Sequence, residues 1–122
     1  MVYALAKEPG PTATDVAIGY ELAWDHLDFG TLWALSGPEL RDGLDEDDFI
    51  AAKRAAYAQR PDLQQLAGDV RVDESTTDGA TARVVTRLVL RDGSMVSNEV
   101  RLARRDDSWK VVTYTLQSTD RV

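Results

Sequence analysis

The chain contains no cysteine, a single histidine and no apolar run long enough to cross a membrane. Without cysteine there can be no disulfide framework, no thiolate metal site and no cysteine nucleophile. His26 stands alone, which excludes a histidine-based catalytic triad and any multi-histidine metal centre. Glycine-rich phosphate loops, a serine elbow, calcium-loop spacing, internal repeats and low-complexity segments are also missing. Neither a metal nor a cofactor is expected. The opening Met1-Val2-Tyr3-Ala4-Leu5-Ala6 is too short for a signal-peptide core and lacks a preceding basic segment, so a cytoplasmic location is expected. Lys7-Glu8-Pro9-Gly10-Pro11 reads as a linker, a kind of segment that can mark where a longer protein was trimmed.

What is present is ordinary globular material: 122 residues, 43% hydrophobic and 29% charged. A chain of this size buries roughly two thirds of its unfolded surface around one core. The net charge is −7. Residues 1–65 carry 12 acidic and 5 basic side chains, whereas residues 66–122 carry 9 of each. An acidic chain with no basic cluster is a poor partner for nucleic acid or for an anionic membrane.

Periodicity divides the chain. From Thr14 the residues Val16, Tyr20, Ala23, Trp24 and Leu27 recur every three or four positions and predict a helix, with Thr12 or Thr14 as its cap. Asp28 suits the N-cap of a short second helix over 29–35. Ser36-Gly37-Pro38-Glu39 has the spacing of a capping box for a further helical turn ending at Gly43. Asp45 is expected to cap a third helix, with Glu46, Asp47 and Asp48 in the first turn, where the helix dipole favours them. Phe49, Ile50, Ala52, Ala56 and Tyr57 are its expected buried side, with Pro61 beyond its end. These acids are a structural feature rather than a metal site, since consecutive residues on one turn point apart.

After Gly68 the period falls to two. Val70 and Val72, then the runs over 80–91, 95–104 and 109–116, predict strands separated by turns at Thr77-Asp78-Gly79, Asp92-Gly93 and Asp106-Asp107-Ser108. Helices followed by a meander predict an α+β fold with three helices packed on a curved antiparallel sheet of four or more strands. With Asp92-Gly93 as a two-residue turn, Thr86 faces Glu99 and Val84 faces Arg101. With Asp106-Asp107 as another, Glu99 faces Tyr114. Both sheet faces then carry apolar residues, and a second copy of the chain is expected against the face the helices leave uncovered.

The order of elements and the stretches Ala23-Trp24-Asp25-His26-Leu27-Asp28-Phe29, Leu32-Trp33-Ala34-Leu35-Ser36, Asp47-Asp48-Phe49 and Asp107-Ser108-Trp109-Lys110-Val111-Val112 resemble the nuclear transport factor 2-like (cystatin-like cone) superfamily. The resemblance implies a single domain over 12–118, between a flexible segment 1–11 and a tail 119–122. It implies a cone whose sheet wraps the first helix and leaves a cavity at the open end. Members include ketosteroid isomerases, SnoaL-type cyclases and scytalone dehydratases, partner-binding proteins, and accessory domains without known activity.

In that frame Tyr20, Trp24, Glu99, Arg101 and Tyr114 are the candidate ligand-binding residues, with Thr86 beside them. An acid, a base and a phenol among aliphatics could line a pocket for an apolar small molecule, Arg101 favouring one that bears a carboxylate or enolate. They could equally be a cross-strand ion pair on a half-exposed sheet, the commoner arrangement. Asp25 and His26 diverge by about 100° around the helix and cannot act as one dyad. The expected function is a non-catalytic module that binds a small ligand or a protein. The alternative is an isomerase, dehydratase or cyclase working by acid–base chemistry in the same cavity.

Overall fold

The computed structural model describes residues 11–58 and 67–120. Three helices come first: α1 (Ala13–Asp25), α2 (Phe29–Leu35) and α3 (Glu46–Tyr57), with a 3₁₀ turn at Pro38–Leu40. Four strands follow: β1 (Ala67–Asp78), β2 (Thr81–Leu90), β3 (Met95–Arg105) and β4 (Ser108–Asp120). The strands form one antiparallel sheet in the order β1-β2-β3-β4, with the helices preceding it. This is the predicted α+β architecture. β4 extends to Asp120, so residues 119 and 120 are strand rather than tail, and Pro61 lies outside the described residues.

Local chemistry sets the helix ends. Thr12 and Asp15 form a reciprocal capping box at the start of α1, each side chain bonding the other's backbone N–H at 3.1 Å. At the far end Leu27 takes a positive φ of 52°, and the Asp28 and Leu27 amides return to the Ala23 and Trp24 carbonyls, a Schellman closure. Asp28 then caps α2 through the Thr31 amide and hydroxyl, and Asp45 caps α3 through the Asp48 amide at 2.9 Å. Two expectations are corrected. Ser36 does not N-cap the turn that follows, because it is the buried C-cap of α2, where its hydroxyl donates to the Leu32 carbonyl at 2.7 Å. Ala52 and Ala56 are exposed; α3 instead turns Phe49, Ile50 and Tyr57 inward, with Lys53 reaching over the Phe49 ring.

Glu39, freed from any capping role, is held by the Arg105 guanidinium at 2.9 and 2.6 Å. That fork lowers its pKa from 4.5 to about 2. A depressed carboxylate stabilises the fold above its unfolded value, and this contribution is lost as pH falls from 4.5 towards 2. An NMR titration of Glu39 should therefore show a midpoint near 2, and Arg105→Ala should return it to about 4.5. An unmoved midpoint would show that Arg105 is not the cause.

The sheet register departs from expectation at one turn. β2 and β3 are joined by three residues, not two: the Gly93 amide donates to the Leu90 carbonyl, Gly93 takes a φ of 90°, and the Leu90 amide donates to the Ser94 carbonyl at 2.8 Å. Asp92 Oδ1 accepts from both the amide and the hydroxyl of Ser94, which fixes this wider loop. Thr86 consequently faces Asn98, Val85 faces Glu99 and Val84 faces Val100. The Asp106-Asp107 turn is the predicted two-residue kind, both residues having positive φ, but an extra residue at Val112 shifts β4, so Tyr114 faces Val100.

A one-residue slip exchanges the faces of a strand. The inner face, against α1 and α2, carries Ala82, Val84, Thr86, Asn98, Val100, Leu102, Trp109 and Val111, all buried. The outer face carries Arg83, Glu99 and Arg101 in a ladder of ion pairs, with Arg87 on Asp73 beside it. Val85 is covered on that side and only 4% exposed. No helix of the described residues is long and apolar enough to cross a membrane.

Candidate functional site

α1 packs on the helix side of the sheet, with Thr14 and Asp25 near its two ends bonded to β1 and Glu21 between them reaching β2, β3 and β4. Ala13, Val16, Ala17, Tyr20 and Ala23 make it apolar, and Glu21 falls in the same buried stripe. Glu21 is only 2% exposed. Three neutral donors converge on it: Thr86 Oγ1 of β2 at 2.6 Å and Asn98 Nδ2 of β3 at 3.0 Å on Oε2, and the Tyr114 hydroxyl of β4 on Oε1. Asn98 Nδ2 also reaches the Tyr114 hydroxyl oxygen at 3.2 Å. A buried carboxyl without a cation is tolerated only when its lone pairs are occupied in this way. Burial, and then the charge of Glu21, push the Tyr114 phenol well above its ordinary pKa. Burial also raises that of Tyr20, whose ring meets Tyr114 edge-on at 5.0 Å.

Beside this cluster a cavity of about 290 Å³ opens between α1, α3 and the inner face. Its wall is Trp24, Leu27, Tyr57, Leu88, Leu90 and Val96, and its polar groups are Glu21, Asp25 and Tyr114. Trp24 and Tyr57 meet edge-on at 5.9 Å. The Trp24 indole N–H is buried beside the Tyr20 hydroxyl without completing a hydrogen bond. Asp25 Oδ1 accepts the Ala67 amide at 2.9 Å and so ties the end of α1 to the start of β1. Among the described residues no group of three or more histidine or acidic side chains could hold a metal ion.

Of the residues expected to line a pocket, Tyr20, Trp24 and Tyr114 lie on the helix side of the sheet, with Thr86. Glu99 and Arg101 do not. They lie on the outer face, Arg101 Nε on Glu99 Oε1 at 2.8 Å and Arg83 Nε on Glu99 Oε2 at 2.5 Å. Both bonds lower the Glu99 pKa, that from Arg101 foremost. The reason is the three-residue turn, which sends odd-numbered β3 residues outward. A wider groove of about 450 Å³ on that face is bordered by Arg83, Arg101 and Arg105. Each of those guanidiniums is paired with a carboxylate, and Asp78 lines the same groove.

The residues missed are Glu21 and Asn98. An acid in the apolar stripe of α1 is the signal for the first. For the second it is an amide interrupting the alternation Val96, Asn98, Val100, which points inward only in the correct register.

Against solved structures, the four-stranded meander with three helices has clear counterparts. A presumed NTF2-like transpeptidase from Campylobacter jejuni superposes with a TM-score of 0.60 at 19% identity, covering 83% of this chain and 97% of its own. An NTF-2 like protein of unknown function from Silicibacter pomeroyi gives 0.56 at 16%, covering 85% and 92%. The chain has the nuclear transport factor 2-like fold. A de novo designed protein with a curved β-sheet also matches, at a TM-score of 0.55 and 13% identity over 88% of this chain and all of its own. No protein-family model matches the sequence, and no curated protein does. At these identities the likeness is one of fold alone.

Proposed function

We propose that this NTF2-like domain is a non-catalytic module that binds a small, mostly apolar molecule in the cavity between α1 and the sheet. The observation that carries this reading is the division of labour in the lining: aromatic and aliphatic side chains form the wall, while Glu21, the one fully buried acid among the described residues, is already bonded by Thr86, Asn98 and Tyr114. A pocket of few polar groups in an apolar wall suits binding. A general base must instead present a free lone pair to the proton it removes. Glu21 accepts three bonds from rigid strands, and Tyr114, a weakened acid, is spent on Glu21.

The acid–base reading would draw on the same carboxyl and phenol, and it predicts turnover that Glu21→Gln abolishes. The binding reading predicts that neutral apolar fragments of about ten non-hydrogen atoms shift the NMR signals of Leu88, Leu90 and Val96 and leave those of Glu99 and Arg101 unmoved. Leu90→Trp, which fills the mouth, should remove the effect. Shifts confined to the outer face, or equal binding by Leu90→Trp, would reject the cavity as the site.

A second copy against the sheet, expected from apolar residues on both faces, loses that footing. The register sets ion pairs among the outer-face aliphatics Val85 and Val89, and Leu22 and Leu116 are the exposed large hydrophobics of the described residues. We propose that the domain binds its ligand as a single copy.

A further inference from the structure

We infer that the cavity selects cations: its ligand is an apolar molecule carrying an amine or other ammonium group. This rests on the cavity being a ligand site, and it goes beyond that reading in assigning the ligand's charge. Two acidic residues, Glu21 and Asp25, line the space, and no Lys, Arg or His does so among the described residues. Arg101, which on sequence grounds would have drawn a carboxylate or enolate, is on the opposite face of the sheet and bonded to Glu99.

The three donors to Glu21 take three of its four lone-pair positions and bring no positive charge, so among the described residues nothing cationic offsets the field of the two carboxyl groups that line the space. In an apolar enclosure such a field acts more strongly than in water, so an ammonium is attracted and a carboxylate repelled. Trp24 and Tyr57 add aromatic rings to the wall, a kind of surface that favours cations where water is excluded. Ligand alkyl or aryl carbon would lie along Leu88, Leu90 and Val96, with the nitrogen towards Asp25, whose Oδ1 is fixed by the Ala67 amide.

The test compares three probes with one carbon skeleton: 3-phenylpropylamine, 3-phenylpropanol and 3-phenylpropanoate. Each is titrated at pH 7 against the whole chain while the NMR signals of Leu88, Leu90, Val96 and the Trp24 indole are followed. The expected result is binding of the amine about tenfold tighter than the alcohol, with no saturable binding of the propanoate. Asp25→Asn, which keeps an acceptor for the Ala67 amide, should bring the amine down towards the alcohol. Equal binding of amine and alcohol in the wild-type chain overturns the charge selection and leaves the cavity reading standing, as does binding of the propanoate. Failure of all three to move those signals overturns both.

Discussion

Replacing Glu21 by alanine is expected to destabilise the domain by about 3 kcal/mol or more. The substitution leaves Thr86, Asn98 and Tyr114 without the acceptor on which they converge, and each buried donor so stranded costs about 1–3 kcal/mol, partly recovered if hydroxyls rotate or water enters. A void where the side chain stood adds to the loss. For a domain of this size that corresponds to a fall in Tm of roughly 10–20 °C. Glu21→Gln keeps the shape but turns an amide donor towards one of the three donors, so about half the effect is expected. The measurement is paired thermal and urea unfolding. A loss below about 1 kcal/mol for Glu21→Ala would show that the three strands do not depend on this carboxyl. The double variant Glu21→Leu with Asn98→Leu should recover part of the stability, because a buried polar cluster removed together costs less than one left half satisfied.

The architecture was legible because its determinants are local. Capping residues Asp28 and Asp45, the change from helical to alternating period near Gly68, and the positive-φ turns each act within a few positions. The candidate site was only half legible, because its residues are brought together by register. Asp92-Gly93 has the signature of a two-residue turn, and what decides otherwise is the Asp92 carboxylate reaching forward to Ser94. That single contact moves Asn98 inward and sends Glu99 and Arg101 outward. The bulge at Val112 then keeps Tyr114 on the inner face, where a straight strand from the same hairpin would have put it opposite Glu99. Tyr20 and Trp24 escaped this sensitivity, since helical periodicity and not strand pairing decides where they point.

The designed neighbour sharpens the distinction between scaffold and site. A de novo designed protein with a curved β-sheet matches this fold over its whole length at 13% identity, so the fold by itself assigns no activity. Features the scaffold does not need are then the informative ones. A buried acid in the apolar stripe of α1 is one, and a threonine and an asparagine at adjacent inward strand positions are others, since valine would pack there at no cost in unpaired polar groups. Of these, Glu21 lines the cavity, and Thr86 and Asn98 hold it there from behind.

The second large effect is expected at Phe49. It is the one residue of α3 that is fully buried, at 2% exposure, and α3 is otherwise faced by the half-buried Ile50, Lys53 and Tyr57. A helix of 12 residues has little stability in isolation. Its docking therefore depends on this ring, over which the Lys53 ammonium sits at 5.2 Å from the centroid while reaching Asp42. Phe49→Ala should cost about 3–5 kcal/mol, the usual range for a buried phenylalanine. Because α3 also carries Tyr57, the partner of Trp24 and Phe29 in the cavity wall, the same change should weaken binding of apolar fragments. Hydrogen exchange distinguishes the two consequences. Amides of α3 should lose protection first while those of β2 and β3 keep theirs, as expected for a helix released locally from an intact sheet. Uniform loss of protection would mean that the helix and sheet form one cooperative unit, and an unchanged pattern with intact binding would show that the Phe49 ring does not anchor α3.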